Sequence, residues 1–313
     1  MTKNLNKFNL VALYFLIAFI SYGCGKENKS IVPDKVSLSE GYVSSIQQKT
    51  SLIKTIQKDT TFIPFDGMEE RHVSYINAGD KPMSVHFLTV DIENPKLSLE
   101  VATPFDEPEF KLQRVRDMVE HKNVSNPPRQ VVAALNGDYW DVNTPNIPAG
   151  TPLGLVYKNG QMIKDLPVRD YYFMGILNNG TAIIGDELRY RSVKSTIKEA
   201  LGGRYFLLNN KQDISGSLNK NVEPRTAVGL LSDKRIVFIV VDGRRAGHSE
   251  GISMQDLAKM FSAIGANYAI NFDGGGSSTY LLRNKEGLLE TRNKPSGNSE
   301  RAVANAWTII QRN

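Results

Sequence analysis

The 313-residue chain predicts an α+β fold: mixed sheets, a C-terminal strand–helix–strand unit and a short N-terminal helical region. Three observations carry this expectation. From about Thr60 onward, apolar and polar residues alternate in short runs, as half-buried strands require. Between Arg235 and Phe272, a β-branched apolar run, an amphipathic stretch and a second apolar run follow one another. Over residues 37–58, Val43, Ile46, Ile53 and Ile56 recur near helical spacing, with Ser37 or Ser39 as cap.

The first residues resemble an export signal. Lys3 and Lys7 precede the unbroken apolar run Leu10 to Ile20. That run is shorter than the roughly 20 residues a bilayer span needs, and it suits a signal core. Ser21-Tyr22-Gly23-Cys24 then places a small residue before the chain's single cysteine. This is a loose bacterial lipobox, since Tyr22 is not small. The expectation is a signal peptide over 1–23 and a lipid on Cys24. A tether and helix follow over 24–60, and one domain over 61–313. Such a protein is exported and membrane-anchored on the periplasmic or cell-surface side of a bacterial envelope. With Cys24 acylated, cysteine nucleophiles, cysteine-ligated zinc and disulfides are all excluded.

Within the domain, Val85 to Ile92 and Leu97 to Val101 read as strands, and Leu112 to His121 as a helix. Val131 to Leu135 is a strand running into Asn136-Gly137-Asp138-Tyr139-Trp140. Hairpins are expected over 153–163 and 171–184, turning at Asn159-Gly160 and Asn178-Asn179-Gly180. Arg235 to Val241 is a strand ending in Asp242-Gly243-Arg244. A helix starts at Ser253, with Asp256 completing a capping box, and stops at Gly265. Tyr268 to Phe272 is the next strand and ends at Asp273. If both strands join one sheet they run parallel through a right-handed crossover. Asp242 and Asp273 would then share the carboxyl edge, close enough to serve one substrate.

Hydrophobic residues make up 41% of the chain and charged ones 23%, so a packed core is expected. The net charge of +5, two of it in the export segment, comes with no basic stripe interleaved with aromatics. Nucleic acid is therefore not an expected partner.

The chemistry concentrates in Asn271-Phe272-Asp273-Gly274-Gly275-Gly276-Ser277-Ser278. Glycines allow positive φ and close approach, and successive N–H groups in such a turn can cradle an anion. A plain glycine hairpin turn is the alternative. Candidate acids are Asp138, Asp242, Glu250 and Asp273, and an Asp before Gly, as at Asp242 and Asp273, alone also fits an Asx turn. Arg225, Arg244 and Arg301 are candidate anion binders, because guanidinium groups match phosphate oxygens. Arg245 reads as a surface ion-pair residue. Of the four histidines, none has zinc-site spacing, His86 reads as structural, and only His248 lies among the site loops. The glycines fit neither a P-loop nor a dinucleotide fingerprint, and no Gly-x-Ser-x-Gly elbow is present. Tyr139, Trp140 and Tyr280 are either sugar-stacking or core aromatics.

Asn136-Gly137, Pro224-Arg225-Thr226-Ala227, Asp242-Gly243-Arg244, Leu257-Ala258, the Asn271–Ser278 block and Arg301-Ala302-Val303 occur in this order. From about residue 80 onward the chain resembles the phosphodiester glycosidase family. The Asp-Gly-Gly-Gly-Ser-Ser block is highly specific to it. One departure is visible: the family usually has Asn-Gly-Gly-Phe-Phe where this chain has Asn136 to Trp140.

The resemblance implies hydrolysis of a sugar-1-phosphodiester, or of a phosphorylated glycan, at the anomeric carbon. It releases the free sugar, with N-acetylglucosamine a candidate. Asp273, Asp242 and Glu250 are then the expected catalytic acids. Arg225, Arg244 and Gly274, Gly275, Gly276, Ser277 and Ser278 would hold the phosphate, and Asn136 and Ser277 would bond sugar hydroxyls. Asp138, Thr226, His248, Asn271 and Arg301 complete the expected substrate contacts. Two alternatives stay open. One is a phosphodiesterase cutting P–O, with calcium or magnesium held by the acids and Asn271. The other is a glycan-binding lipoprotein without turnover.

Overall fold

The computed structural model describes residues 37–312 except 126–128, 143, 168–170, 232–234 and 298. The export segment and Cys24 lie outside the described residues. Val36–Asn313 forms one compact unit.

The expected helix over 37–58 is only partly present. It covers Tyr42–Lys49, and the strand Ile53–Phe65 begins seven residues before Thr60, where strands were expected to start, pairing with Met68–Asn77. Ile53 and Ile56 serve that strand. Spacing of three is ambiguous between a helix and an irregular strand, and bulges between Ile53 and Thr55 and between Ile56 and Lys58 break the alternation. The helix packs on the body: Tyr42, Val43 and Ile46 enter the core beside Leu257 and Phe261. Lys49 Nζ also donates to the Ala263 carbonyl at 2.9 Å.

An eight-stranded sheet organises the unit. In spatial order its strands are Ile53–Phe65, Met68–Asn77, Pro82–Asp91, Arg235–Val241, Arg225–Leu230, Tyr268–Asn271, Tyr205–Asn209 and Gln212–Asp213. All neighbours are antiparallel. Arg235–Val241 and Tyr268–Asn271 both flank Arg225–Leu230 antiparallel to it, so they run parallel to each other, as the sequence predicts. The helix between them, Met254–Ala263, is capped by Ser253 bonding Asp256 N and ends before Gly265 at φ +86°.

Two five-stranded sheets cover the opposite face. One runs Leu289–Thr291, Tyr280–Arg283, Gln130–Asn136, Ala306–Gln311, Leu97–Ala102. The other runs Ala182–Gly185, Tyr172–Leu177, Ile197–Gly203, Val156–Lys158, Gln161–Lys164 and contains both expected hairpins. The central strand Arg235–Val241 is apolar throughout because both its faces are buried. Val237, Ile239 and Val241 meet the helices, while Ile236, Phe238 and Val240 meet the other sheets. Each such side chain contributes about 1.5–3 kcal/mol. The carboxyl ends of the parallel pair and the end of Gln130–Asn136 thus carry the polar motifs on a rigid frame.

Candidate active site

The glycine turn is built differently from the expected N–H cradle. Gly274 N donates to its neighbour Asp273 Oδ1 at 2.9 Å, and Gly275 N donates to the Pro224 carbonyl at 2.9 Å. Ser277 N bonds the Gly274 carbonyl, closing a short 3-10 turn over Gly275–Ser277. These donors are spent inside the protein. The glycines serve guanidinium groups instead. A Cβ on Gly274 would lie 3.7 Å from both the Cα and the Cδ of Arg225, and only 2.7 Å from the Pro224 carbonyl. One on Gly275, at φ +58°, would lie 3.2 Å from Arg244 Nη2. One on Gly276 would lie 3.5 Å from Arg301 Cδ. Three arginines thus border one turn, and an added side chain would crowd one of them at Gly275.

The three cations differ in state. Arg225 is 8% exposed and donates to the carbonyls of Ile252 and Asn221, at 3.2 and 2.8 Å. Among the described residues it pairs with no carboxylate, and burial depresses its pKa. A buried, unneutralised guanidinium is an anion site in waiting. Arg244 pairs with Glu223 and stands at φ +58°, a left-handed conformation costly for a residue with a side chain. Arg301 lies over the Trp140 ring, 4.9 Å from its centroid. Arg245 departs from expectation, bonding the carbonyls of Pro295 and Gly297 in place of an acid.

Asp273 sits at the start of the turn. Burial raises its pKa, while Ser277, Gly274 N–H and Arg301 oppose the rise. Around it, buried polar atoms stand without partners of ordinary hydrogen-bond geometry among the described residues: Ser277 Oγ, Ser278 Oγ, Asn271 Oδ1 and Asp138 Oδ1. Asn271 Nδ2 donates to Tyr139 OH at 2.7 Å, and Tyr139 meets Tyr205 edge-on.

Several expected roles change. Asn136 is fully buried and does not wait for a sugar. Its Oδ1 accepts from Thr226 Oγ1 and Thr279 N, and its Nδ2 donates to the Asp273 carbonyl. Thr226 is thereby structural too. Asp242 is not paired with Asp273. It is 1% exposed, with Oδ1 taking Lys294 N at 2.8 Å and Oδ2 taking His248 Nε2 at 2.7 Å. It anchors the loop that carries Arg244, and His248 is part of that anchor. Glu250 contributes backbone: its carbonyl accepts Arg244 N and its N–H bonds the Pro82 carbonyl. Strand polarity placed Asp242 at the right edge, but the loop turns its carboxylate to interior donors. Tyr280 is core, at 0% exposure, and His86 is structural, with Nδ1 on Glu70.

The carboxyl group next to Asp273 along the backbone contacts is Asp138: Asp273 N donates to the carbonyl of Gly137, the residue before Asp138, at 3.0 Å. Sequence reasoning named Asp138 but missed what surrounds it: Gly154, Gly202 and Asn305. The doublet Gly202-Gly203 inside a strand was the available signal, since strand glycines mark close backbone approach. Among the described residues no group of three or more histidine, cysteine or acidic side chains is arranged to hold a metal.

Fold and site together define a protein with a carboxylate beside an arginine-lined turn. Residues 129–310 match the phosphodiester glycosidase family, and the chain belongs to that family. It is 29% identical over 195 residues to the SPbeta prophage-derived uncharacterized protein YomE of Bacillus subtilis, covering 58% of this chain and 28% of that one. It is 26% identical over 174 residues to the bovine N-acetylglucosamine-1-phosphodiester alpha-N-acetylglucosaminidase, covering 50% of this chain and 32% of that one. The chain thus spans about a third or less of the length of these curated relatives. The catalytic domain of the zebrafish protein of the same name has this fold. Its TM-score is 0.58 at 20% identity, covering 82% of this chain and 88% of that one. A hypothetical protein from Synechocystis matches with TM-score 0.55 at 13% identity, covering 82% and 64%.

Proposed function

We propose that this protein hydrolyses a sugar-1-phosphodiester at the anomeric carbon and releases the free sugar. The observation that carries the reading is the convergence of Arg225, Arg244 and Arg301 on Gly274, Gly275 and Gly276, beside Asp273. Three arginines bordering one turn suit a phosphodiester anion. A phosphate departs as a stable anion, so the leaving group needs little protonation. The site must stabilise positive charge at the anomeric carbon, and the Asp273 carboxylate is the group for that task. Trp140, held under Arg301, offers a face for a sugar ring.

N-acetylglucosamine is the first sugar to test, because the bovine relative is named for it. We further propose that the protein acts from an envelope membrane through a lipid on Cys24. Hydrolysis in oxygen-18 water decides the bond cut. Label in the sugar supports this reading, and label in the phosphate indicates P–O cleavage. A Cys24→Ser protein recovered in the soluble fraction supports the anchor, and one that stays in the membrane fraction removes it.

A further inference from the structure

Asp138 makes no salt bridge among the described residues. It is 1% exposed and follows Gly137 at the end of the strand Gln130–Asn136. Its own N–H donates to Asn305 Oδ1 at 2.8 Å. Its Oδ2 accepts Gly154 N at 2.6 Å, and its Oδ1 is buried with no partner among the described residues. Two glycine backbones wedge it: a Cβ on Gly154 or Gly202 would come within 2.8 or 2.7 Å of Oδ2. The cation whose charge acts on it is Lys164, whose Nζ is turned to the carbonyls of Leu153 and Gly154, at 3.0 and 3.2 Å.

Asp273 is less deeply buried. It has Gly274 N–H on Oδ1, the Ser277 hydroxyl beside it and the charge of Arg301. The remaining charged or titratable groups felt here are Tyr139, Tyr205 and Arg225, around the Asn271 amide. Two like-charged carboxyls in one site do not both ionise readily, and the more deeply buried one, Asp138 at 1% exposure against a partly exposed Asp273, keeps the proton.

We propose that Asp138 is a positioning residue that keeps one proton in the site, so that Asp273 alone is charged when an anionic diester binds. This rests on the phosphodiester reading and adds the regulation of that same site. Burial lifts the Asp138 pKa to about 7, against the pull of Gly154 N–H, Lys164 and Tyr139 N–H, with the Asp273 charge adding to the rise. Ionisation of Asp138 above that pH places a second negative charge beside Asp273. That repels the bound anion and raises the proton affinity of Asp273.

The test is the affinity for dimethyl phosphate, a diester anion that does not titrate between pH 5 and 9, measured by calorimetry. Affinity of the wild-type protein should fall about tenfold on the alkaline side of neutrality. Asp138→Asn keeps an acceptor for Gly154 N–H and should abolish the fall. Lys164→Met removes a charge that favours ionisation and should move the fall to higher pH. A merely structural role changes affinity at every pH and leaves the profile in place. Stability gives a reading independent of binding. Because the folded pKa is raised from 3.8, wild type should lose stability relative to Asp138→Asn as pH rises toward about 7. An alkaline fall that persists in Asp138→Asn, or a wild type without one, overturns the proposal. No binding at any pH overturns it as well. Hydrolysis of sugar-1-phosphodiesters, assayed in parallel, separates these results from failure of the hydrolase reading.

Discussion

The side-chain amide of Asn136 donates to the main-chain carbonyl of Asp273 at 2.8 Å, across 137 positions of sequence. This bond ties the corner carrying Asp138 to the turn carrying the glycines. Its Oδ1 simultaneously holds Thr226 and Thr279. Asn136→Ala leaves three buried polar groups unmet, each costing about 1–3 kcal/mol. Denaturant unfolding should show a loss of about 3 kcal/mol or more. A loss confined to substrate affinity, with unchanged stability, would return Asn136 to the role of sugar ligand.

Gly275→Ala tests the arginine-lined turn. The position combines φ +58° with a 3.2 Å approach to Arg244 Nη2. Backbone strain alone costs about 1–2 kcal/mol. The displaced Arg244 should in addition raise KM for a phosphodiester about tenfold or more. A substitution that lowers stability but leaves KM unmoved would show that Arg244 holds no substrate.

Arg225→Met exchanges a buried, unpaired charge for an apolar chain of similar length. Removing such a charge is commonly neutral or stabilising. Thermal stability should hold or rise, while KM increases by about 10–100-fold through loss of charge-assisted contacts. Loss of stability together with unchanged KM would make Arg225 a purely structural residue.

His72 should set the acid limit of the fold. Burial, with the charge of His86 adding to it, lowers its pKa from 6.5 to about 4. Its Nε2 sits 3.0 Å from Ser84 Oγ and its ring stacks on His86 at 4.1 Å. The unfolded chain takes up the proton first, so stability falls as pH drops from about 6.5 toward 4. His72→Gln should flatten that part of the stability profile. An identical acid slope in the variant would assign the loss to other groups.

Much of the frame was legible in the sequence, because it rests on local rules. The Ser253 cap, the Gly265 stop and the hairpin turns at Asn159-Gly160 and Asn178–Gly180 stand where their chemistry put them. The continuous apolar run of Arg235–Val241 announced burial on both faces. The strand Ile53–Phe65 was not legible, because its bulges displace the apolar residues from period two. Side-chain direction beyond a strand end was illegible for the same class of reason. Asp242 and Asp273 leave the sheet at one edge, yet the loop after Val241 turns Asp242 onto Lys294 N and His248. Gly154, Gly202 and Asn305 meet Asp138 only through long-range packing, which no spacing rule encodes.

The most direct measurement is turnover of a small panel of sugar-1-phosphodiesters by the purified protein and by its Asp273→Asn variant, run in oxygen-18 water. The expected result is release of free sugar carrying the label, with the variant slower by about a thousandfold or more and still folded. Label found in phosphate, or equal rates for the two proteins, would contradict the assignment of Asp273 to the anomeric carbon.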